Sequence, residues 1–279
     1  MASLPKSLAI IDVQVKESIL PEKINTNLNF GEDCINPFDQ TDENLWVKIE
    51  HLGRYLFAAD YLRQFKLTCI ADIACGVGYG IRELEKVADV VIGVDGNSEL
   101  LKQAAQQCNN SQTRLIQHNL EQSGLLADQI HQSIDAIVSF ETLEHLINPS
   151  SVLEQFYQLL SPGGFLICSV PNVLYEPRDD AGLPTNSCHK QFFSYESLSR
   201  LFEYNGLKVN YRVGQAWSNI LFKRETQLLR NRSISQRLGE YSYLSLPEII
   251  RHLSYLIAYP TVEDVDGSYS LIIVGKKIK

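Results

Sequence analysis

The sequence predicts an α/β protein built on a mostly parallel sheet with helices on both faces. Three observations point there. Short apolar, β-branched runs alternate with stretches of helical spacing from about residue 67 onward. The first run ends in a glycine-rich turn, "DIACGVGYG" from Asp72 to Gly80, with a helix-like segment directly behind it. No repeat or low-complexity tract interrupts the alternation. Strands separated by helices connect through crossovers, so neighbouring strands run parallel and both sheet faces are covered.

Residues 1–44 are rich in Asn, Asp, Glu and Pro without sustained periodicity. They read as an N-terminal arm that either orders over a site or stays loose. Residues 45–279 read as one domain. Leu45 to Phe65 carries Ile49, Leu52, Leu56, Ala59 and Leu62 at helical spacing, which predicts an amphipathic helix. "LTCIADIA" is then a buried strand, "GIRELEKVA" a helix and "DVVIGVD" a second strand ending on Asp95. "SELLKQAAQQC" is a helix, "TRLIQHN" a third strand and "IDAIVSFE" a fourth. "SVLEQFYQLLS" is a helix stopped by Pro162-Gly163-Gly164, and "GFLICSVPN" a fifth strand. "SYESLSRLFEYNG" is a helix with Gly206 at its C-cap, followed by "LKVNYRVG" as a sixth strand. "SYSLIIVGKK" makes a seventh.

Before that last strand lies an insertion, about residues 217–260. It shows helical apolar spacing in "NILFKRETQLLRN" and "LPEIIRHLSYLIAYP". Its tyrosines and leucines either roof a pocket or form a helical pair on the sheet edge or against a second copy of the chain, as in a homodimer.

Size and charge narrow the function. The 279 residues suffice for one sizeable core. A net charge of −8 argues against broad nucleic-acid binding, which needs a basic face. Lys223, Arg224, Arg230, Arg232 and Arg237 lie close together and read as a solvated helix face. The six cysteines contain no CxxC pair, which speaks against structural zinc and a disulfide framework. The N-terminal segment lacks a signal-peptide layout and no apolar run approaches membrane-spanning length, so the expectation is a soluble cytoplasmic protein with no membrane partner.

The glycine turn decides the ligand. A triphosphate loop needs GxxxxGK[ST], and no Lys follows these glycines. A dinucleotide fingerprint needs GxGxxG, whose third glycine lets helix and strand approach; here that place holds Ile81. Asp95, ending the second strand, suits the ribose hydroxyls of any nucleoside. Asp72, four residues before Gly76, repels a pyrophosphate but welcomes an ammonium. S-adenosylmethionine has ribose hydroxyls and an ammonium, and no phosphate.

On these residues the chain resembles the class I S-adenosylmethionine-dependent methyltransferases. "DIACGVGYG" is similar to their first motif and "VVIGVDGN" to their second, while "IDAIVSFETLEHL" with "LLSPGGFLICSVPN" resembles their fourth and fifth strands. The likeness runs over about residues 45–213. It implies a Rossmann-like seven-stranded sheet whose last strand is antiparallel, and an enzyme that takes a methyl group from S-adenosylmethionine. Asp72, Ala74, Cys75 and Gly76 then line the methionine portion, and Gly78 lets the backbone pass close to the ligand. Asp95, followed by Gly96, holds the ribose. The family usually carries an Asp at the end of the third strand for the adenine amino group; here Asn119 stands at that place, with Leu120 packing on the adenine. Phe140 and Glu141 border the sulfonium.

Methyl transfer chiefly needs an aligned nucleophile, and a hydroxyl acceptor also needs its proton removed. "ETLEH" offers Glu141, Glu144 and His145, which a helical turn would place on one face, and "CHKQFF" adds His189. These four form either a mixed O/N site for a hard divalent cation such as Mg²⁺, or a set from which His145 or His189 acts directly as base. ExxEH with a later His is similar to small-RNA 2′-O-methyltransferases, and a related ExxEH to ubiquinone-pathway O-methyltransferases. In many small-molecule members an "EHL" here only packs beside the cofactor.

"IEHLGRYLFAADYL" and "CHKQFFSYESLSRLFEYNGLKV" resemble bacterial methyltransferases of sugar and secondary-metabolite pathways. That implies a cover helix whose His51 or Arg54 meets the methionine carboxylate, with Tyr79 and Tyr175 as acceptor-side or cofactor-covering aromatics. The expected reaction is methylation of an oxygen, less readily a nitrogen, of a small molecule such as a sugar or specialised metabolite. A metal-dependent RNA 2′-O-methyltransferase and a catalytically idle scaffold are the alternatives, with a dehydrogenase more remote.

Overall fold

The computed structural model describes residues 35–38, 45–122, 126–215, 246–261 and 267–278. Helix α1 (Leu45–Arg63) precedes β1 (Leu67–Ile73), α2 (Ile81–Leu84), β2 (Ala88–Asp95), α3 (Ser98–Gln107) and β3 (Arg114–Gln117). Then come β4 (Ile134–Phe140), a 3₁₀ turn (Leu143–His145), α4 (Pro149–Leu159), β5 (Leu160–Pro171), α5 (Tyr195–Tyr204), β6 (Leu207–Gln215), α6 (Pro247–Ile257) and β7 (Ser270–Lys277). The seven strands form one sheet in the order β3-β2-β1-β4-β5-β7-β6. Strands β1 to β5 pair in parallel, and β7 runs antiparallel between β5 and β6. The expected fold class is the observed one, and the antiparallel last strand is inserted between β5 and β6.

Strand order reverses between β1 and β4, which opens a crevice at their carboxyl ends. Side chains along β1 alternate between two cores: Ile70 joins the core on the α1 side, and Cys69, Ala71 and Ile73 the core on the α4 side. Ile49, Leu52, Leu56 and Leu62 of α1 are fully buried, so this helix is a wall of the domain. Helix α6 packs on it closely: a Cβ on Gly53 would lie 2.5 Å from the Ala258 carbonyl oxygen. That helix is the second of the two expected in the insertion; the first, with the basic cluster of Lys223 to Arg237, lies outside the described residues, as does most of the N-terminal arm.

Two boundaries differ from the expectation. "GIRELEKVA" keeps only one helical turn, because Val87 N–H bonds back to the Leu84 carbonyl in a tighter turn and β2 begins at Ala88. Strand β5 starts before Pro162-Gly163-Gly164 rather than after it. The sheet absorbs the triplet as a register shift opposite Ile134 and Ala136, with Gly163 at φ +81°.

Candidate functional site

The turn after β1 is built on left-handed backbone. Ala74 has φ 63°, Gly76 54° and Gly78 81°. The conformation costs Ala74 steric energy that a glycine would avoid, and such strain gathers at ligand-binding turns. Gly78 also meets α3: a Cβ there would sit 2.7 Å from the Ala104 Cβ, so the missing side chain lets the turn and that helix touch.

Two carboxylates flank this turn. Asp95 accepts the Gly76 N–H at 2.9 Å through Oδ2 and the Asn97 N–H at 2.8 Å through Oδ1. The Gly96 N–H also acts on this carboxylate, which still has acceptor capacity for a further donor. Burial raises its pKa, against the pull of those N–H groups. Asp72 is fully buried; Oδ1 accepts the Tyr55 hydroxyl at 2.9 Å, and Oδ2 has no partner among the described residues. Burial lifts its pKa to about 7. A pyrophosphate would meet this pair as a repelling charge, whereas an ammonium would supply the missing partner. The residues therefore fit a nucleoside with an amino group. Cys75 is buried beside them and burial holds its thiol protonated.

At the adenine end, a Cβ on Gly96 would lie 3.8 Å from the Asn119 backbone, so the ends of β2 and β3 meet there. The Asn119 Oδ1 accepts the Glu121 N–H at 3.0 Å, a local turn that leaves one lone pair and the amide NH₂. Leu120 is half-buried against the α4-side core.

Helix α1 roofs the turn. The Tyr55 ring stands edge-on to Tyr79 at 5.2 Å and to Phe140 at 4.9 Å. A side chain at Gly80 would collide with that ring. His51 Nδ1 lies 3.1 Å from the Tyr79 hydroxyl. Arg54 is 3% exposed, donates from Nε to Gln215 Oε1 at 3.1 Å and pairs with Glu141 at 3.4 Å. Arg54 thus sits among the carboxyl ends of β4 and β6, while His51 is engaged by the turn. Tyr175 is 55% exposed.

Glu141 corrects the sequence reading. It takes the left-handed conformation, φ 47°, at the end of β4, so no helical turn carries it onto the face of Glu144 and His145. Its Oε1 instead accepts the Ser169 hydroxyl at 2.7 Å and the Ser270 hydroxyl at 3.3 Å, beside Arg54. Among the described residues, the cluster of converging ligand atoms does not include it.

The other three do converge. One ligand atom each from Glu144, His145 and His189 lies within 4.8 Å of the others, and the two imidazoles meet edge-on at 4.8 Å. His145 Nδ1 faces the Cys188 carbonyl at 3.3 Å, and His189 Nδ1 contacts the Glu176 carboxylate. Both partners only accept, so each Nδ1 is placed as an N–H donor and each ring turns Nε2 away from that contact. Glu144 is 1% exposed; its Oε1 lies 3.8 Å from His145 Nε2, neither carboxylate oxygen accepts a hydrogen bond among the described residues, and burial together with Glu141 pushes its pKa well up. Two imidazole nitrogens beside an unsatisfied carboxylate suit a divalent cation. Glu176 was not foreseen from sequence; it fixes the His189 tautomer from 13 positions away, and no spacing rule announces that. Tyr55 was likewise missed, since within α1 it looks like any core aromatic.

Among the described residues, surface clefts also occur beside Arg82, Lys86 and Asn110, and beside Ser194, Arg200 and Tyr204. The first lies at the amino-terminal end of β2 and β3, away from the turn. Neither gathers convergent catalytic groups, and the carboxyl-end crevice remains the candidate.

Against known proteins, residues 48–211, more than half of the chain, match the methyltransferase domain family. The human mitochondrial ubiquinone biosynthesis O-methyltransferase is 28% identical over 163 residues, 53% of this chain and 44% of that protein. A Mycolicibacterium smegmatis protein described as an S-adenosylmethionine-dependent methyltransferase is 27% identical over 146 residues, 52% of this chain and 54% of that one. The chain thus spans about half the length of the curated relatives it matches. In fold it is similar to an S-adenosylmethionine-dependent methyltransferase of Mesorhizobium loti, with TM-score 0.52 at 15% identity, covering 78% of this chain and 95% of that one.

Proposed function

Since the chain belongs to the methyltransferase domain family, in its class I S-adenosylmethionine-dependent form, we propose that it transfers a methyl group from S-adenosylmethionine to a hydroxyl oxygen of a small molecule such as a sugar or specialised metabolite. One observation carries the reading: a left-handed turn between two carboxylates, with a buried oxygen on Asp72 that is unbonded among the described residues. The human relative's name supports an oxygen acceptor over a nitrogen one.

The bound cofactor supplies a methyl group already activated by its positive sulfur. Asp95 accepts the ribose hydroxyls with the lone pairs left free by Gly76 and Asn97. Asp72 takes the ammonium, and Asn119 and Leu120 border the adenine. Ala74, Cys75 and Gly76 line the methionine chain. Phe140 and Glu141 border the sulfonium, with Glu141 held by Ser169, Ser270 and Arg54. Arg54, at the methionine end of the crevice, meets the carboxylate.

Glu144, His145 and His189 are assigned to the acceptor. They would hold a divalent cation, which would lower the pKa of an acceptor hydroxyl, with Glu176 orienting His189. A Mg²⁺ ion fits the carboxylate, and the imidazoles also admit Mn²⁺. Incubation with methyl-labelled S-adenosylmethionine and a panel of sugars and phenols tests the proposal. Label recovered as a methyl ether supports it; label recovered only on amines overturns the oxygen assignment.

A further inference from the structure

We propose that Tyr55 is a positioning residue for the cofactor's amino group: its hydroxyl fixes Asp72 through Oδ1 so that Oδ2 is presented to the ammonium. The inference rests on the S-adenosylmethionine reading above and deepens it. Asp72 has two carboxylate oxygens with different situations. Oδ1 accepts Tyr55 at 2.9 Å, and Oδ2 is buried without a partner among the described residues. An orphan buried carboxylate oxygen is costly unless a donor arrives. The strands cannot supply one, because their N–H groups are committed to the ladders of β1 with β2 and β4.

Tyr55 is held as firmly as the group it orients. It is 3% exposed, wedged edge-on against Tyr79 and Phe140, and its ring fills the space over Gly80. A phenol so packed cannot swing away to make room, so it leaves Oδ1 occupied and directs a ligand to Oδ2. Asp72 is faced by Tyr55 from α1, by Asp95 from β2 and, through Tyr55's own surroundings, by Cys75 and Tyr79 of the turn. No cation stands among them. Burial raises the free-state pKa of Asp72 to about 7, so an arriving ammonium must lower it. Binding of an amino-bearing ligand then strengthens as pH rises through about 7 and releases protons below it.

Calorimetric titration with two probes separates this role from plain packing. S-adenosylhomocysteine carries the amino-acid portion, and 5′-methylthioadenosine lacks it. Tyr55→Phe keeps the ring and should lower affinity for S-adenosylhomocysteine about tenfold while changing that for 5′-methylthioadenosine less than about twofold. Asp72→Asn should narrow the gap between the two probes in the same way and remove the rise with pH. Equal losses for both probes make Tyr55 a packing residue and overturn the inference. Tighter S-adenosylhomocysteine binding by Tyr55→Phe also overturns it, since the hydroxyl would then be competing with the ammonium. If the unaltered protein binds neither probe, the cofactor reading itself fails and takes this inference with it.

Discussion

The Asp95 carboxylate accepts the backbone N–H of Gly76 at 2.9 Å, tying the end of β2 to the turn that leaves β1. One side chain thus shapes the turn and offers its remaining lone pairs to a ribose. Asp95→Ala should lower S-adenosylhomocysteine affinity by about a hundredfold, the loss of two charge-assisted bonds. Calorimetry reads this directly, and unchanged affinity would remove Asp95 from the site.

Gly78 meets Ala104 of α3, and its φ of 81° disfavours any side chain. Gly78→Ala should destabilise the fold by about 2 kcal/mol, from strain and overpacking together. Chemical denaturation measures it. A variant as stable as the parent would mean that the turn and α3 are not in contact.

Glu50 on α1 carries a pKa raised to about 7, chiefly by burial, with Arg54 and the Tyr269 hydroxyl opposing and Glu141 adding. The folded state therefore holds this proton more tightly than the unfolded chain. Its contribution to stability is greatest below the unfolded carboxyl range and declines as pH climbs from there to about 7. Glu50→Gln, which cannot ionise, should gain in Tm relative to the parent between pH 5 and pH 8 (about that span, on either side of most of the titration). A Tm difference independent of pH would show that Glu50 ionises normally.

The Glu144, His145 and His189 cluster should bind Mn²⁺ in the purified chain, read as a rise in Tm on adding the ion and by its electron spin resonance signal. Glu144→Gln or His189→Ala should abolish both effects, and Glu176→Gln should weaken them about tenfold by freeing the His189 ring. Glu141→Gln should leave them intact, because that carboxylate points to Ser169 and Ser270. Loss of Mn²⁺ binding in Glu141→Gln would reinstate the four-residue set.

Much of the fold was legible because it is local. Alternating apolar runs and helical spacings located every strand, and Asp72, Gly76 and Asp95 are adjacent to strand ends that sequence alone marks. What escaped is set by backbone detail or by distance along the chain. The left-handed twist at Glu141 separates it from Glu144, and nothing in "ETLEH" encodes that twist. Gly78 carries a further constraint that sequence does not show, because only the three-dimensional approach of α3 reveals what its missing Cβ avoids. Tyr55 with Asp72 spans 17 positions and Arg54 with Gln215 spans 161, pairings that no motif spacing can carry.

The central claim is that the turn after β1 receives a sulfur-linked adenosine bearing an amino group and no phosphate. Titrating the purified chain with S-adenosylhomocysteine, and separately with NADH, tests it most directly. The structure predicts saturable heat with one S-adenosylhomocysteine per chain and none with NADH. Saturable NADH binding with no response to S-adenosylhomocysteine would contradict the account.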